Sequence, residues 1–323
     1  MNIFSIHTEQ DFHDAALEIF RKQASENPVY SEYLSNLGIK VSEIHHQEEI
    51  PFLPIEFFKT RKIITGKGAT ELIFESSGTT GQTPGKHHVL SAEIYQKSFI
   101  NHFTQKYGDP AEWCIIALLP SYIERGNSSL VYMMDHLISL SMHPDSGFYL
   151  RDLRSVRKIL DTRKSDNKPA LLLGVSFALL ELSENYPGSI GTNTIVMETG
   201  GMKGRRKELT RTEFHSILAG AFEIEAVHSE YGMTELLSQA YSKGEGILHP
   251  PPWMKVFIRD IYDPLSLRKL GEAGGINIID LANYRSCSFI ATGDLGKVYP
   301  DGSFEVNGRI DQAEVRGCNL MAI

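Results

Sequence analysis

Apolar residues recur at helical spacing near the amino terminus, where residues 10–24 place Phe12, Ala16, Ile19 and Phe20 on one face and predict an amphipathic helix. PFLPIEFFKT then interrupts the periodicity. Pro51 and Pro54 break regular structure there, while Phe52, Ile55, Phe57 and Phe58 offer bulky surface for a core or for a pocket wall. WCIIALLP (113–120) is a continuous apolar run closed by proline, the pattern of a strand buried on both faces, with Cys114 as a small core residue. ALLLGVSFALLELS (170–183) begins the same way and turns into a helix after Gly174. TIVMETGG (194–201) and FEIEAVHSEYG (222–232) read as further strands, each running into glycine. VFIRDIYD, GINIIDL and CSFIATGDLGKVYPDGSFEVNGR predict a β-rich region, with PDGS as a turn between paired strands. Strands alternating with helices, without repeats, low-complexity tracts or an evident linker, define the α/β class.

Composition narrows the partners. A chain of 323 residues that is 41% hydrophobic can bury a full core, as one large domain or two modest ones. Net charge is −8, the sequence pI is near 5.9 and no run of consecutive Lys or Arg exceeds the three residues Arg205, Arg206 and Lys207, which excludes nucleic acid as the main partner. MNIFSIHTEQDFHDAAL has no basic region followed by an apolar stretch, and no segment approaches the ~18 apolar residues of a membrane helix. A cytoplasmic protein without membrane insertion is therefore expected. Cys114, Cys287 and Cys318 are odd in number, widely spaced and free of any CxxC pair, so reduced thiols are expected rather than a zinc site.

One polar loop stands apart from the packing pattern. ESSGTTGQTPGK (75–86) follows the apolar LIF and combines the hydroxyls of Ser76, Ser77, Thr79 and Thr80 with the amides of Gly78 and Gly81, groups able to crowd around an anion. It is not the Walker pattern. On its residues alone it is either a phosphate loop or a mobile surface loop.

YGMTE (231–235), TGD (292–294) and GRID (308–311) follow downstream in order. Together with SSGTTG they resemble the signature set of adenylate-forming enzymes: acyl-CoA synthetases, firefly-type luciferases and peptide-synthetase adenylation domains. The resemblance runs from about residue 70 to the end. It implies a large N-terminal core of layered α/β structure, with mixed sheets and a small β-rich region. It also implies a reaction in which a carboxylate attacks the α-phosphate of ATP and expels pyrophosphate. By that resemblance Ser76, Ser77, Gly78, Thr79, Thr80 and Gly81 cover the β- and γ-phosphates. Glu235 binds Mg²⁺ and Thr234 contacts the α-phosphate. Tyr231, with Gly232 beside it, lies against the adenine, and Gly200 and Gly201 of METGGMKG approach its other side. Asp294 accepts hydrogen bonds from the ribose hydroxyls, and Arg309 holds the ribose or the α-phosphate.

The departures from the pattern set further expectations. In the superfamily GRxD leads into a small mobile domain that carries a lysine. Here fourteen residues follow Arg309, so the expectation is a core domain over 1–308, a truncated hinge and tail over 309–323, and no lid domain. Glu314 stands near where many members carry lysine, and Lys86, Lys203 or Arg205 are candidates to replace it. The truncation resembles LuxE-type acyl-protein synthetases, which carry an acyl-accepting cysteine near the C-terminus. Cys318 is placed for that role, with Arg316 to lower its pKa. The expected function is then an ATP-dependent acid–thiol ligase: a fatty acid becomes an acyl-adenylate, then a Cys318 thioester, then passes to a partner protein such as a reductase. The alternatives are a ligase that acylates coenzyme A or a carrier protein directly, and a catalytically weak acyl- or nucleotide-binding subunit. Aromatic segments such as PFLPIEFF and SFIATGD are core material first and enclosure for an acyl chain second. His45–His46 and His87–His88 are adjacent pairs expected at the surface, with His87 or His88 in reach of the phosphates, and His228 is a candidate to line the carboxylate pocket.

Overall fold

The computed structural model of the chain describes residues 2–76, 83–120, 126–200 and 209–310. The predicted amphipathic helix is Glu9–Glu26, opened by a reciprocal cap between Thr8 and Asp11, and it buries Phe12, Ala16, Ile19 and Phe20 as the spacing requires. Along the chain the strands are β1 (Leu53–Pro54), β2 (Leu72–Glu75), β3 (Lys86–Val89), β4 (Cys114–Leu118), β5 (Gly147–Phe148), β6 (Ala170–Val175) and β7 (Thr194–Thr199). They continue as β8 (His228–Tyr231), β9 (Ala240–Ser242), β10 (Met254–Arg259), β11 (Ala273–Asp280), β12 (Phe289–Val298) and β13 (Phe304–Arg309). The chain divides into two compact units, one of Met1–Tyr95, Thr234–Ser238 and His249–Ile323, the other of Gln96–Met233 and Gln239–Leu248.

The first unit holds the β-rich region. Its larger sheet runs β1-β12-β11-β10, with β13 paired to β12, and a separate hairpin joins β2 to β3. Pro54 does not exclude β1 from this sheet. It lies on an edge, parallel to β12, where a missing N–H costs no ladder bond, and the next amide, Ile55, donates to the Ala291 carbonyl at 3.0 Å. The core beneath is aromatic: the Phe289 ring lies 6.0 Å from both Phe20 and Tyr30. PDGS is the turn from β12 to β13, with Gly302 N–H donating to the Tyr299 carbonyl at 3.0 Å.

The second unit is a sheet in the order β5-β4-β6-β7-β8-β9, parallel throughout except for β9. Every residue of β4 and β6 is buried, which is why both read as unbroken apolar runs. Gly174 is required near the end of β6, because an added Cβ would meet Leu179 at 2.9 Å and Leu118 at 3.1 Å. The stretch from 222 differs from its expected strand. Phe214, Leu218 and Phe222 are buried at helical spacing, so helix Arg211–Phe222 continues through Phe222 and ends on Glu223 at φ 55, leaving a strand only from His228. Among the described residues no helix is long and apolar enough to cross a membrane.

β12 and β13 shift register beside Gly296, where a Cβ would fall 2.2 Å from the Glu305 carbonyl oxygen and 2.6 Å from Ile276 Cδ1. Gly296→Ala is therefore expected to lower unfolding free energy by about 1–3 kcal/mol. Urea denaturation checks it; an unaltered midpoint would show that the strands part freely.

Candidate active site

In the first unit the hairpin closes the base of the SSGTTG loop. Ser76 N–H donates to the Gly85 carbonyl at 2.9 Å, and Gly85 N–H returns a bond to Ser76 Oγ at 2.7 Å. Against this pair lies the Glu235 carboxylate. A Cβ on Gly85 would sit 2.6 Å from Glu235 Oε1 and 3.2 Å from Ser76 Oγ, so only glycine leaves the carboxylate its place. On the neighbouring strands Asp294 and Arg309 are register partners, with Arg309 Nε 3.6 Å from Asp294 Oδ1, and Ile310 N–H donates to the Gly293 carbonyl at 2.8 Å. Ser77, Gly78, Thr79, Thr80 and Gly81 lie outside the described residues, as does Cys318.

Glu235 is only 6% exposed, and burial pushes its carboxyl up to about 7; Arg309 and Lys59 pull it down and Asp294 opposes them. Lys59, on the short helix Phe57–Thr60, is a cation that the motif comparison did not bring forward. Lys86 is engaged with Glu75 at 2.9 Å, while Lys203 and Arg205 lie outside the described residues.

Three buried polar residues hold the segment that carries Thr234 and Glu235. Asp280 accepts the N–H groups of Leu237 and Ser238, each at 2.9 Å, and the Ser238 hydroxyl at 2.6 Å. Burial raises Asp280 to about 6, against the lowering pull of these donors, and both of its oxygens serve as acceptors. Asn283 Nδ2 donates to the Glu235 carbonyl at 2.7 Å. His87 Nδ1 lies 2.9 Å from the Thr234 carbonyl, and its Nε2 lies 2.9 Å from Ser286 Oγ. A carbonyl only accepts, so Nδ1 carries the proton and Nε2 receives the serine hydroxyl. His87 is thus not a surface residue. It is fully buried with its pKa lowered to about 4, chiefly by burial, and stays neutral.

In the second unit the candidates gather at the carboxyl ends of parallel strands, where open α/β sheets take ligands. Ser176 follows β6 and donates its hydroxyl to the Gly200 carbonyl at 2.7 Å; Gly200 follows β7 at φ 69, a conformation that favours glycine. Thr199 and Glu230 are register partners, the threonine hydroxyl donating to Glu230 Oε2 at 2.5 Å. Glu230 is buried and raised to about 7 by desolvation, and a Cβ on Gly232 would fall 2.6 Å from its Oε1. Tyr231 is half-buried at the end of β8, and Gly201 lies outside the described residues. His228 begins β8, 3.2 Å from the Tyr107 hydroxyl, with its pKa lowered to about 4 by burial and by Lys243.

Solved structures share this fold. MatB from Rhodopseudomonas palustris, bound to ATP, matches with a TM-score of 0.55 at 18% identity over 75% of this chain and 49% of that one. An open conformation of 2-hydroxyisobutyryl-CoA ligase, in complex with 2-HIB-AMP and CoA, matches with a TM-score of 0.68 at 12% identity over 94% of this chain and 70% of that one. The luciferase-like enzyme of the nonluminescent mealworm Zophobas morio matches with a TM-score of 0.51 at 16% identity, covering 77% and 60%. The chain therefore has the mixed α/β fold of adenylate-forming enzymes, and it spans about half the length of MatB. No protein-family model and no curated protein matches the sequence. One expectation is overturned here: an acyl-accepting protein partner such as a reductase finds no counterpart, because the matched ligase holds coenzyme A as the acceptor of its acyl-adenylate.

His87→Phe would keep the edge-on ring contact with Phe58, 5.6 Å away, but orphan the Thr234 carbonyl. It is expected to cost about 1–3 kcal/mol in urea denaturation. A variant as stable as the parent would show that the Thr234 carbonyl needs no such donor.

Proposed function

We propose that the protein is an ATP-dependent ligase that activates a carboxylic acid as its acyl-adenylate and passes the acyl group to coenzyme A. The observation that carries this reading is the Glu235 carboxylate held against Gly85 and Ser76, with Asp294 and Arg309 paired in the same unit. The ATP-bound and adenylate-bound proteins of the same fold support it.

In this reading Ser76 marks the phosphate end of the nucleotide. Asp294 accepts the ribose hydroxyls, and Arg309, whose side chain is 78% exposed, donates to the ribose or the α-phosphate. The Thr234 hydroxyl donates to an α-phosphate oxygen. A divalent ion suits Glu235: its raised pKa marks a buried negative charge short of compensation, and carboxylate oxygen is the donor Mg²⁺ prefers. Among the described residues no group of three or more His, Cys, Asp or Glu is built to hold a metal alone, so Glu235 would share the ion with nucleotide phosphates. The ion, when bound, would neutralise charge on the departing pyrophosphate.

The substrate carboxylate oxygen forms a bond to the α-phosphorus as the bond to pyrophosphate breaks. The coenzyme A thiolate then attacks the acyl carbon, AMP leaves with the electron pair, and the thiol proton goes to solvent.

ATP–pyrophosphate exchange across acids from acetate to palmitate, with phenylacetate included, tests the first step. Exchange that depends on one class of acid, and on its addition an acyl-CoA product, is expected. No exchange with any acid would overturn the activation, and acyl label held on the protein but lost in Cys318→Ser would overturn the acceptor.

A further inference from the structure

At the TGD motif the pairing of β12 with β11 is interrupted, although Asp294 stays in register with Arg309 of β13. Gly275 pairs with Leu295 and Asn277 with Ala291, so Thr292, Gly293 and Asp294 together face the single residue Ile276. A ladder interrupted in this way leaves carbonyl groups without their usual partners. Arg259, the last residue of β10, supplies them. Its Nη2 donates to the Thr292 carbonyl at 2.6 Å, and its Nη1 donates to the Ile276 carbonyl at 2.7 Å and to Asn277 Oδ1 at 3.0 Å. The Thr292 hydroxyl donates to the same Ile276 carbonyl at 2.9 Å, and Asp294 N–H donates to that hydroxyl oxygen at 3.1 Å. A chain of hydrogen bonds thus runs from the guanidinium to the backbone of Asp294.

The sequence makes room for this cation at one position. A Cβ on Gly275 would fall 2.6 Å from Arg259 Cζ and 2.8 Å from Nη1, so the bare backbone of β11 is the floor on which the guanidinium lies. Arg259 is 8% exposed, and the negative charges of Glu56 and Asp294 favour its charged form against desolvation. Only a planar fork with several fixed donors can satisfy three acceptors lying around it; a lysine ammonium is a point charge on a flexible stem.

We infer that Arg259 is a positioning residue for the nucleotide: it holds the bulged TGD stretch of β12 so that Asp294 presents its carboxylate to the 2′- and 3′-hydroxyls of a bound ribose. The inference rests on the adenylation reading above, and it assigns ribose recognition to a residue far from the four motifs in the chain.

The test compares equilibrium binding of ATP and of 2′,3′-dideoxy-ATP, with pyrophosphate exchange as the kinetic readout. Wild type is expected to bind ATP about tenfold or more tightly than the dideoxy nucleotide. In Arg259→Met and in Gly275→Ala that ratio falls to about twofold, while the KM for pyrophosphate is unmoved. Asp294→Ala gives the same fall, and combining it with Arg259→Met adds no further loss of discrimination. A purely structural arginine would weaken both nucleotides alike and preserve the ratio, which overturns the inference. Wild type that does not distinguish the nucleotides removes the adenylation reading and this inference together, whereas discrimination retained by both variants removes the role of Arg259 alone. Gly275→Ala displaces the guanidinium without deleting it, so the comparison stands even where Arg259→Met does not fold, with circular dichroism as the check.

Discussion

A carboxylate buried against bare backbone is the constraint on which the candidate site depends. Glu235 lies where a side chain on Gly85 would have to be, and burial is the chief cause that lifts it to about 7. Its position is not chosen by its own contacts. The backbone around it is fixed by Asp280, Asn283 and His87, which take up amides of Leu237 and Ser238 and carbonyls of Thr234 and Glu235. Each of these is a buried polar group whose cost is offset only while its partners stay in place. The acid is thus a buried carboxylate that the fold leaves short of compensating charge.

The same economy of means recurs at the TGD motif. TGD is a bulged stretch of β12 that has lost its pairing with β11, and a strand interrupted in this way lacks part of its usual ladder. The buried guanidinium of Arg259 restores the missing donors, and Gly275 gives up its side chain so that it fits. In the second unit Thr199, Gly200, Tyr231 and Gly232 owe their grouping to something simpler: the parallel pairing of β7 with β8 brings the ends of two neighbouring strands side by side.

Much of this was legible in the sequence, and the reasons it was or was not are physical. The buried strands Cys114–Leu118 and Ala170–Val175 announce themselves as apolar runs, and the Glu9–Glu26 helix by its spacing. The failure at 222–227 came from reading apolar residues singly, when Phe214, Leu218 and Phe222 share a helical face. SSGTTG could be picked out because glycines and hydroxyls in a row have no packing use, whereas YGMTE, TGD and GRID stood out only by their resemblance, in order, to the signature set of adenylate-forming enzymes. Arg259, Asp280, Asn283 and His87 could not, since a lone polar residue in an apolar stretch looks the same whether it is exposed or threaded into a buried network. The adjacent histidines illustrate it: His87 is wholly buried and His88 is not. Only pairing register and depth separate them.

Proton uptake or release on nucleotide binding tests the central claim most directly. If Glu235 titrates near pH 7 in the free protein and is ionised when Mg·ATP is bound, calorimetry in buffers of different ionisation enthalpy should report release of about half a proton at pH 7 and close to none at pH 9. That release should be absent in Glu235→Gln. Binding with no buffer dependence at pH 7, or the same release from Glu235→Gln, would contradict the account.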